Sequence, residues 1–245
     1  MVLPNIDIIN GVSGLEIILS GYILAFILIF KHARNAPNAK AKKGIILRGV
    51  AMFSVFQAWF GTSTSFVLMI LGLPPLGPYV GVLGYAWGPA LGIPLWSYIA
   101  IDSYKESYYK KRVQIGMTLF MAIISLIFVI LIYTNPVKYT KYQVSPGGLP
   151  ETGIRSTAMT LLALMLVIMM IVLGPSIIYS GKKMDDKSIK WRRYSLGLGL
   201  TIASLFGIID AGLGSEELGF LGLAIVKAFI FTSVFLMYQG VDKGT

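Results

Sequence analysis

Long uncharged runs of hydrophobic residues alternate with short polar segments along most of this chain. A helix needs about 20 mostly apolar residues to cross the hydrocarbon core of a bilayer, and seven runs are long enough. They cover residues 12–31, 45–72, 78–101, 114–134, 157–179, 195–214 and 218–239. A transmembrane β-barrel would show short alternating segments instead. The pattern therefore predicts an all-α, polytopic membrane protein, with one seven-transmembrane-helix bundle over residues 1–245.

The positions of lysine and arginine predict how this bundle is oriented. Basic residues are dense in the connections after the first, third and fifth runs, namely Lys31, Arg34, Lys40, Lys42, Lys43, Arg48, Lys105, Lys110, Lys111, Arg112, Lys182, Lys183, Lys187, Lys190, Arg192 and Arg193. The connections on the other side carry only Lys138, Lys141 and Arg155. Because short cytoplasmic loops are enriched in lysine and arginine, we expect an outside N-terminus and a cytoplasmic C-terminus (N-out/C-in).

Composition supports the membrane prediction and excludes several kinds of chemistry. The chain is 56% hydrophobic and 13% charged, whereas soluble domains carry about 25% charged residues. It lacks cysteine and has one histidine, His32, in a basic loop. We therefore expect no catalytic residues, no metal site, no cofactor and no enzyme activity. The net charge of +10 lies in the loops, where topology and lipid headgroups account for it, so we expect no nucleic-acid partner.

One ionisable residue, Lys227, falls well inside a hydrophobic run. It lies about ten residues into the seventh run, and a rise of about 1.5 Å per residue places it near the middle of a core about 30 Å thick. A charged lysine there costs at least about 2.5 kcal/mol, so it needs a partner. Asp210 and Glu16 lie at a depth it can approach. The pair either locks helices together or forms the floor of a pocket open to the outside.

Polar and aromatic residues of the second and third runs could line such a pocket. The candidates are Gln57, Trp59, Tyr85 and Trp87. Two prolines, Pro89 and Pro94, predict a kink or break in the third helix between residues 88 and 94. An equally good interpretation is that small residues there let helices pack closely. We expect residues 135–156 to form an irregular external loop that covers the bundle like a lid.

Retinal attachment is a disfavoured alternative for Lys227. Microbial rhodopsins hold their chromophore on a lysine of the seventh helix, but the supporting residues are missing here. Position 223 is leucine, where those proteins usually have aspartate. The third run has no carboxylate before Asp102, and the sixth has no tryptophan, tyrosine or proline to enclose a polyene.

Several short motifs resemble a known family. They are Pro94-Leu95-Trp96 with Asp102 in the third run, Asp210-Ala211 ending the sixth, and Lys227, Thr232-Ser233, Tyr238 and Gly240 in the seventh. Their order resembles the standalone archaeal seven-helix membrane proteins, which are similar to the sensor regions preceding some prokaryotic histidine kinases. This chain departs from that pattern, with lysine in place of arginine and no kinase domain. The resemblance implies a sensor-like membrane protein.

We therefore expect a multi-pass protein of the cell membrane that acts as a sensor or receptor. It would bind a small ligand, or respond to protons, from the outer side. A small-solute or ion transporter and an accessory subunit of a membrane complex are the alternatives. Expected partners are the lipid bilayer, a small-molecule ligand, and a cytoplasmic signalling protein at the 3–4 and 5–6 loops.

Overall fold

The computed structural model describes residues 5–102, 110–145, 147–213 and 215–241, without the side chains of residues 78–81, 83, 85, 110, 152, 215 and 216. Helices make up most of this part of the chain. The long ones are α1 (Asn5–His32), α2 (Ala39–Ile70), α3 (Pro78–Asp102), α4 (Lys110–Thr134), α5 (Ser156–Lys182), α6 (Lys187–Gly212) and α7 (Ser215–Gln239). α7 has a kink at Gly219, whose φ of 64° and ψ of 176° are not helical. All of them except α3 are identified as long and apolar enough to cross a membrane. The chain is therefore a helical bundle of a multi-pass membrane protein.

Consecutive helices are neighbours in this bundle. Each helix from α1 to α6 contacts the next one, and α7 contacts both α6 and α1, which closes the ring. α3 also touches α5. The contact between α7 and α1 brings Lys227 close to the first helix as well as to the sixth.

Several helices begin earlier than hydrophobicity predicts. α1 is helical from Asn5, the first described residue, rather than from residue 12, and α6 starts at Lys187 rather than at residue 195. At the start of α6, Oδ1 of Asp186 accepts hydrogen bonds from the backbone amides of Ser188 and Ile189 (2.7 and 3.2 Å). Such a cap satisfies backbone donors that a helix start leaves open, so helices extend through polar residues beyond the apolar run.

The connection between α4 and α5 is ordered, which corrects the prediction of an irregular loop. It contains a one-turn helix, Pro136–Tyr139, and two antiparallel strands, β1 (Thr140–Val144) and β2 (Pro150–Ile154). The turn between the strands includes Gly148, whose φ of 89° lies in the left-handed region that favours glycine. Strand β2 contacts α2, α3 and α6. The hairpin thus lies across one end of the bundle, here called the hairpin end.

The irregular segment of the second and third helices lies in α2 rather than α3. α3 is helical through Pro89 and Pro94, whereas α2 contains a 3₁₀ segment, Phe56–Trp59. Gly84, Gly88 and Gly92 of α3 face this region so closely that a Cβ atom there would lie 2.2–2.6 Å from atoms of residues 54–57. Close packing through small residues is therefore what the glycines provide.

Two other helices contain a wide turn. α1 ends in a π-helical segment, Ile27–His32, and α5 contains another, Ile168–Leu173. A π-helix closes its hydrogen bonds one residue further along than an α-helix, and it is rare and usually short. Leu28, Met169 and Leu173 in these segments are buried.

Candidate functional site: a buried ion pair beneath the hairpin

Lys227 and Asp210 form an ion pair inside the bundle. Nζ of Lys227 lies 2.7 Å from Oδ1 and 2.9 Å from Oδ2 of Asp210. Their side chains are 5% and 8% exposed, respectively. Asp210 lies in the last turn of α6, at the hairpin end. A helical side chain leans toward the start of its helix, so the lysine of α7 reaches the carboxylate from below.

Trp59 completes this site from α2. Its indole Nε1 donates a hydrogen bond to Oδ2 of Asp210, at 2.8 Å. Nζ of Lys227 also lies 5.8 Å from the centre of a Trp59 ring, within the range of a cation–π contact. The carboxylate is thus held by two donors from different helices. Hydrogen bonds to charged groups are stronger than neutral ones, so α2, α6 and α7 are linked at this point.

The 3₁₀ segment of α2 places the indole. Trp59 is its last residue, with φ −92° and ψ 0°, a backbone region often occupied at functional sites. The glycines of α3 allow this segment to lie against α3 without obstruction. The local backbone of α2 therefore sets the direction from which Trp59 approaches Asp210.

A polar cavity lies between the ion pair and the hairpin. Its volume is about 50 Å³, and Trp59, Asp210 and Lys227 lie on one side of it. Thr62, Lys141, Gln143 and Glu151 are among the other lining residues. A buried water needs roughly 10–15 Å³ and two to four polar partners. The cavity therefore has room for a few waters or one small polar solute.

A hydrogen bond and an ion pair are among the contacts that attach the hairpin to the helices beneath it. Nδ2 of Asn10 in α1 donates a hydrogen bond of 2.7 Å to Oε1 of Glu151 in β2. Nζ of Lys141 in β1 lies 3.2 Å from Oε1 of Glu217 in α7. Asn10 is buried, whereas Lys141 and Glu217 are exposed by more than a third. Because exposed ion pairs contribute at most about 1 kcal/mol, the buried contact is the stronger tie.

Glu16 lies apart from the ion pair. It is exposed on the outer surface of α1, and it forms no ion pair within the described part of the chain. It lines a surface groove between α1 and α7 that Lys227 also borders. Lys227 thus separates the polar cavity on one side from this groove on the other.

Two other predicted lining residues, Gln57 and Trp87, are not among the residues that line the cavity. Gln57 belongs to the 3₁₀ segment of α2 and packs against Gly84 and Gly88 of α3. Trp87 is 63% exposed on the outside of the bundle, contrary to the prediction, because the adjacent Gly88 is on the face of α3 that packs against α2. Tyr85 is in α3, but its side chain lies outside the described residues.

Residues that sequence reasoning missed complete the cavity. Asn10 was placed before the first span, and Lys141, Gln143 and Glu151 were assigned to an irregular loop. The Ser-Pro-Gly-Gly segment at 145–148 between two short polar and β-branched stretches was a usable hairpin signal. Nothing local in the sequence indicates that Asn10 meets Glu151, since 141 positions separate them.

The part of the chain that the structure describes contains no group of three or more histidine or acidic residues placed to hold a metal ion. No protein-family model matches this chain, and no curated protein matches it.

Proposed function

We propose that this protein is a receptor-like sensor with seven transmembrane helices, α3 included, and with its hairpin end outside. The cavity beneath the hairpin would admit protons or a small polar ligand. The observation that carries the proposal is that a buried ion pair faces a polar cavity whose other wall is a surface hairpin. Intramembrane ionisable residues of this kind mark functional sites by default.

The size of the cavity limits the ligand. At about 50 Å³, it is far smaller than the roughly 300–1,000 Å³ of drug-sized ligand sites. A proton or a solute of a few heavy atoms is compatible with a cavity of this size. A larger ligand requires the hairpin to move, with loss of the Asn10–Glu151 contact.

A signal would arise from competition for Asp210. A ligand that donates to this carboxylate, or a proton that neutralises it, weakens its hold on Lys227 and Trp59. Because the three residues belong to α7, α6 and α2, this change would alter the packing of three helices at once. The resemblance to sensor regions of histidine kinases supports this direction, and the 3–4 and 5–6 loops would then contact a cytoplasmic signalling partner.

Access to the cavity from one side only distinguishes a sensor from a transporter. Towards the opposite end of the bundle, α7 is packed with the buried Ile230, Val234 and Met237. This apolar plug favours a cavity open only at the hairpin end. A transporter would expose Lys227 to each side in turn, and an accessory subunit would keep it sealed.

Labelling of an introduced cysteine tests from which side the cavity is open. Because the chain contains no cysteine, the introduced thiol is the one that reacts. In Thr62→Cys, the single thiol lines the cavity, and a membrane-impermeant thiol reagent can be applied to either face of oriented vesicles. We expect labelling from the hairpin face only. Labelling from both faces would favour the transporter, and protection from both would favour a sealed subunit. A second variant, Lys183→Cys, reports the exposed opposite end and controls for vesicle orientation.

A retinal protein is the remaining alternative. A Schiff base on Lys227 would replace the ammonium that contacts Asp210. The purified protein would then show a visible absorption band that is lost in Lys227→Met, and we expect no such band.

A further inference from the structure

Glu16 interrupts an exposed hydrophobic stripe on α1. Ile8, Val12, Leu19 and Ile23 are 40–57% exposed and recur every three or four residues, which places them on one face of the helix. Glu16 falls on the same face, between Val12 and Leu19. Because α1 is long and apolar enough to cross a membrane, this face meets lipid. A carboxylate is costly there unless a partner compensates its charge.

The stripe borders a groove of about 360 Å³ between α1 and α7. Ile9, Val12 and Glu16 line it from α1, and Lys227, Ala228 and Phe231 line it from α7. The walls are mainly apolar, and the small side chain of Ala228 leaves space opposite the acid. The volume falls within the roughly 300–1,000 Å³ of small-molecule sites and greatly exceeds that needed for one water or ion.

The charges around the groove do not balance. Among the described residues that line the groove, Lys227 is the cation, but both carboxylate oxygens of Asp210 already hold its ammonium. With all three groups ionised, Lys227, Asp210 and Glu16 carry a net charge of −1. The site therefore lacks one positive charge, on the side of Lys227 that faces the groove.

We propose that the groove between α1 and α7 binds a lipophilic amine, whose ammonium pairs with Glu16 and whose hydrocarbon chain lies along Val12, Ala228 and Phe231. A single cationic head on an apolar body matches both the missing charge and the apolar walls. This inference goes beyond the proposed function, which concerns the polar cavity on the other side of Lys227. It does not depend on whether that cavity admits a ligand.

Thermal unfolding in nanodiscs of zwitterionic lipid tests the proposal, with dodecylamine as the probe and dodecanol as its neutral counterpart. A ligand at 100 times its Kd stabilises the folded state by about 2.7 kcal/mol, which corresponds to a rise in Tm of about 5–10 °C for a chain of this size. We expect this rise with dodecylamine, not with dodecanol, and its loss in Glu16→Gln. Asp185→Asn is the matched control, because it removes one exposed negative charge at the opposite end of the bundle.

A second variant guards against a general loss of folding in Glu16→Gln. Ala228→Leu keeps the carboxylate but fills the groove, so it should lose the amine response as well. An equal response in wild type, Glu16→Gln and Ala228→Leu would overturn the proposal. So would an equal effect of amine and alcohol. If acidification alone raises the Tm of wild type and the amine adds nothing, the missing charge is a proton and the amine proposal is wrong.

Discussion

Trp59 and Lys227 donate to the same oxygen of Asp210: the indole Nε1 lies 2.8 Å and the ammonium Nζ 2.9 Å from Oδ2. The carboxylate therefore has two independent donors, one neutral and one charged. Removing either donor leaves the other in place. Because one is charged and the other neutral, their loss should lower the stability of the bundle by different amounts. This difference makes their contributions separable by mutation.

We expect Lys227→Met to destabilise the bundle by about 3–5 kcal/mol, the usual cost of leaving one member of a buried pair without its counter-ion. Combining it with Asp210→Asn should recover much of the loss, because no buried charge then remains. Unfolding of wild type, both single variants and the double variant in detergent measures the coupling. If the stability losses of the two single variants add up in the double variant, the side chains of Lys227 and Asp210 do not interact in the folded protein.

The second donor should matter less. Trp59→Phe keeps an aromatic ring but removes the hydrogen bond to the carboxylate, which typically contributes about 1.5–3 kcal/mol when one partner is charged. Trp87→Phe is the matched control, because Trp87 is 63% exposed on the bundle surface and its loss should cost under about 0.5 kcal/mol. Equal effects of the two substitutions on unfolding would contradict the assigned role of Trp59.

The contact between Asn10 and Glu151 should govern access to the cavity. Asn10→Ala, introduced into Thr62→Cys, removes the buried tie between hairpin and α1, so the thiol should react faster from the hairpin face. Lys138→Ala is the control, since Lys138 belongs to the same connection but its exposed side chain lies over the ring of the neighbouring Tyr139. The measurement is the labelling rate, and an unchanged rate in Asn10→Ala would show that the hairpin is not held closed by this contact.

Two glycine-to-alanine substitutions in the bundle should change its stability in opposite directions. In Gly84→Ala, the new Cβ would lie 2.2 Å from the backbone oxygen of Gln57, so the 3₁₀ segment that carries Trp59 must shift and the protein should lose stability. A Cβ at Gly116 in α4 meets nothing within 4 Å. Gly116→Ala should therefore be neutral or stabilising by up to about 1 kcal/mol. Unfolding of both variants checks the sign of each change.

Asp7 offers a stability test unrelated to the ion pair. It is fully buried in the first turns of α1, and neither carboxylate oxygen has a hydrogen-bond partner among the described residues. Burying a polar group without a partner costs free energy, and a charged group costs more than a neutral one. Asp7→Asn keeps the shape without the charge, so it should raise the unfolding free energy at neutral pH. A clear loss would reveal a partner that needs the carboxylate.

The lengths of the hydrophobic runs were enough to predict a helical membrane bundle. In lipid, the backbone N–H and C=O groups of each run must form their hydrogen bonds within the protein, as a helix allows. Helix ends were predicted less well, because caps such as Asp186 extend helices through residues that hydrophobicity counts as loop. The approach of Lys227 to Asp210 was anticipated from depth alone. The roof of the cavity was not, since the contact of Asn10 with Glu151 depends on how the whole ring closes.

The π-helical turn at Ile168–Leu173 has a consequence for how α5 tolerates changes in length. Such a turn holds one residue more than an α-helical turn needs. Deleting Ile171, which is 61% exposed, would let the turn relax to α-helix. The residues before and after the turn would keep their orientation about the helix axis. The same deletion elsewhere in α5 would rotate the residues that follow it by about 100° about this axis. The wide turn thus marks the place where evolution or an engineer could shorten this helix by one residue and leave both of its packed faces in register.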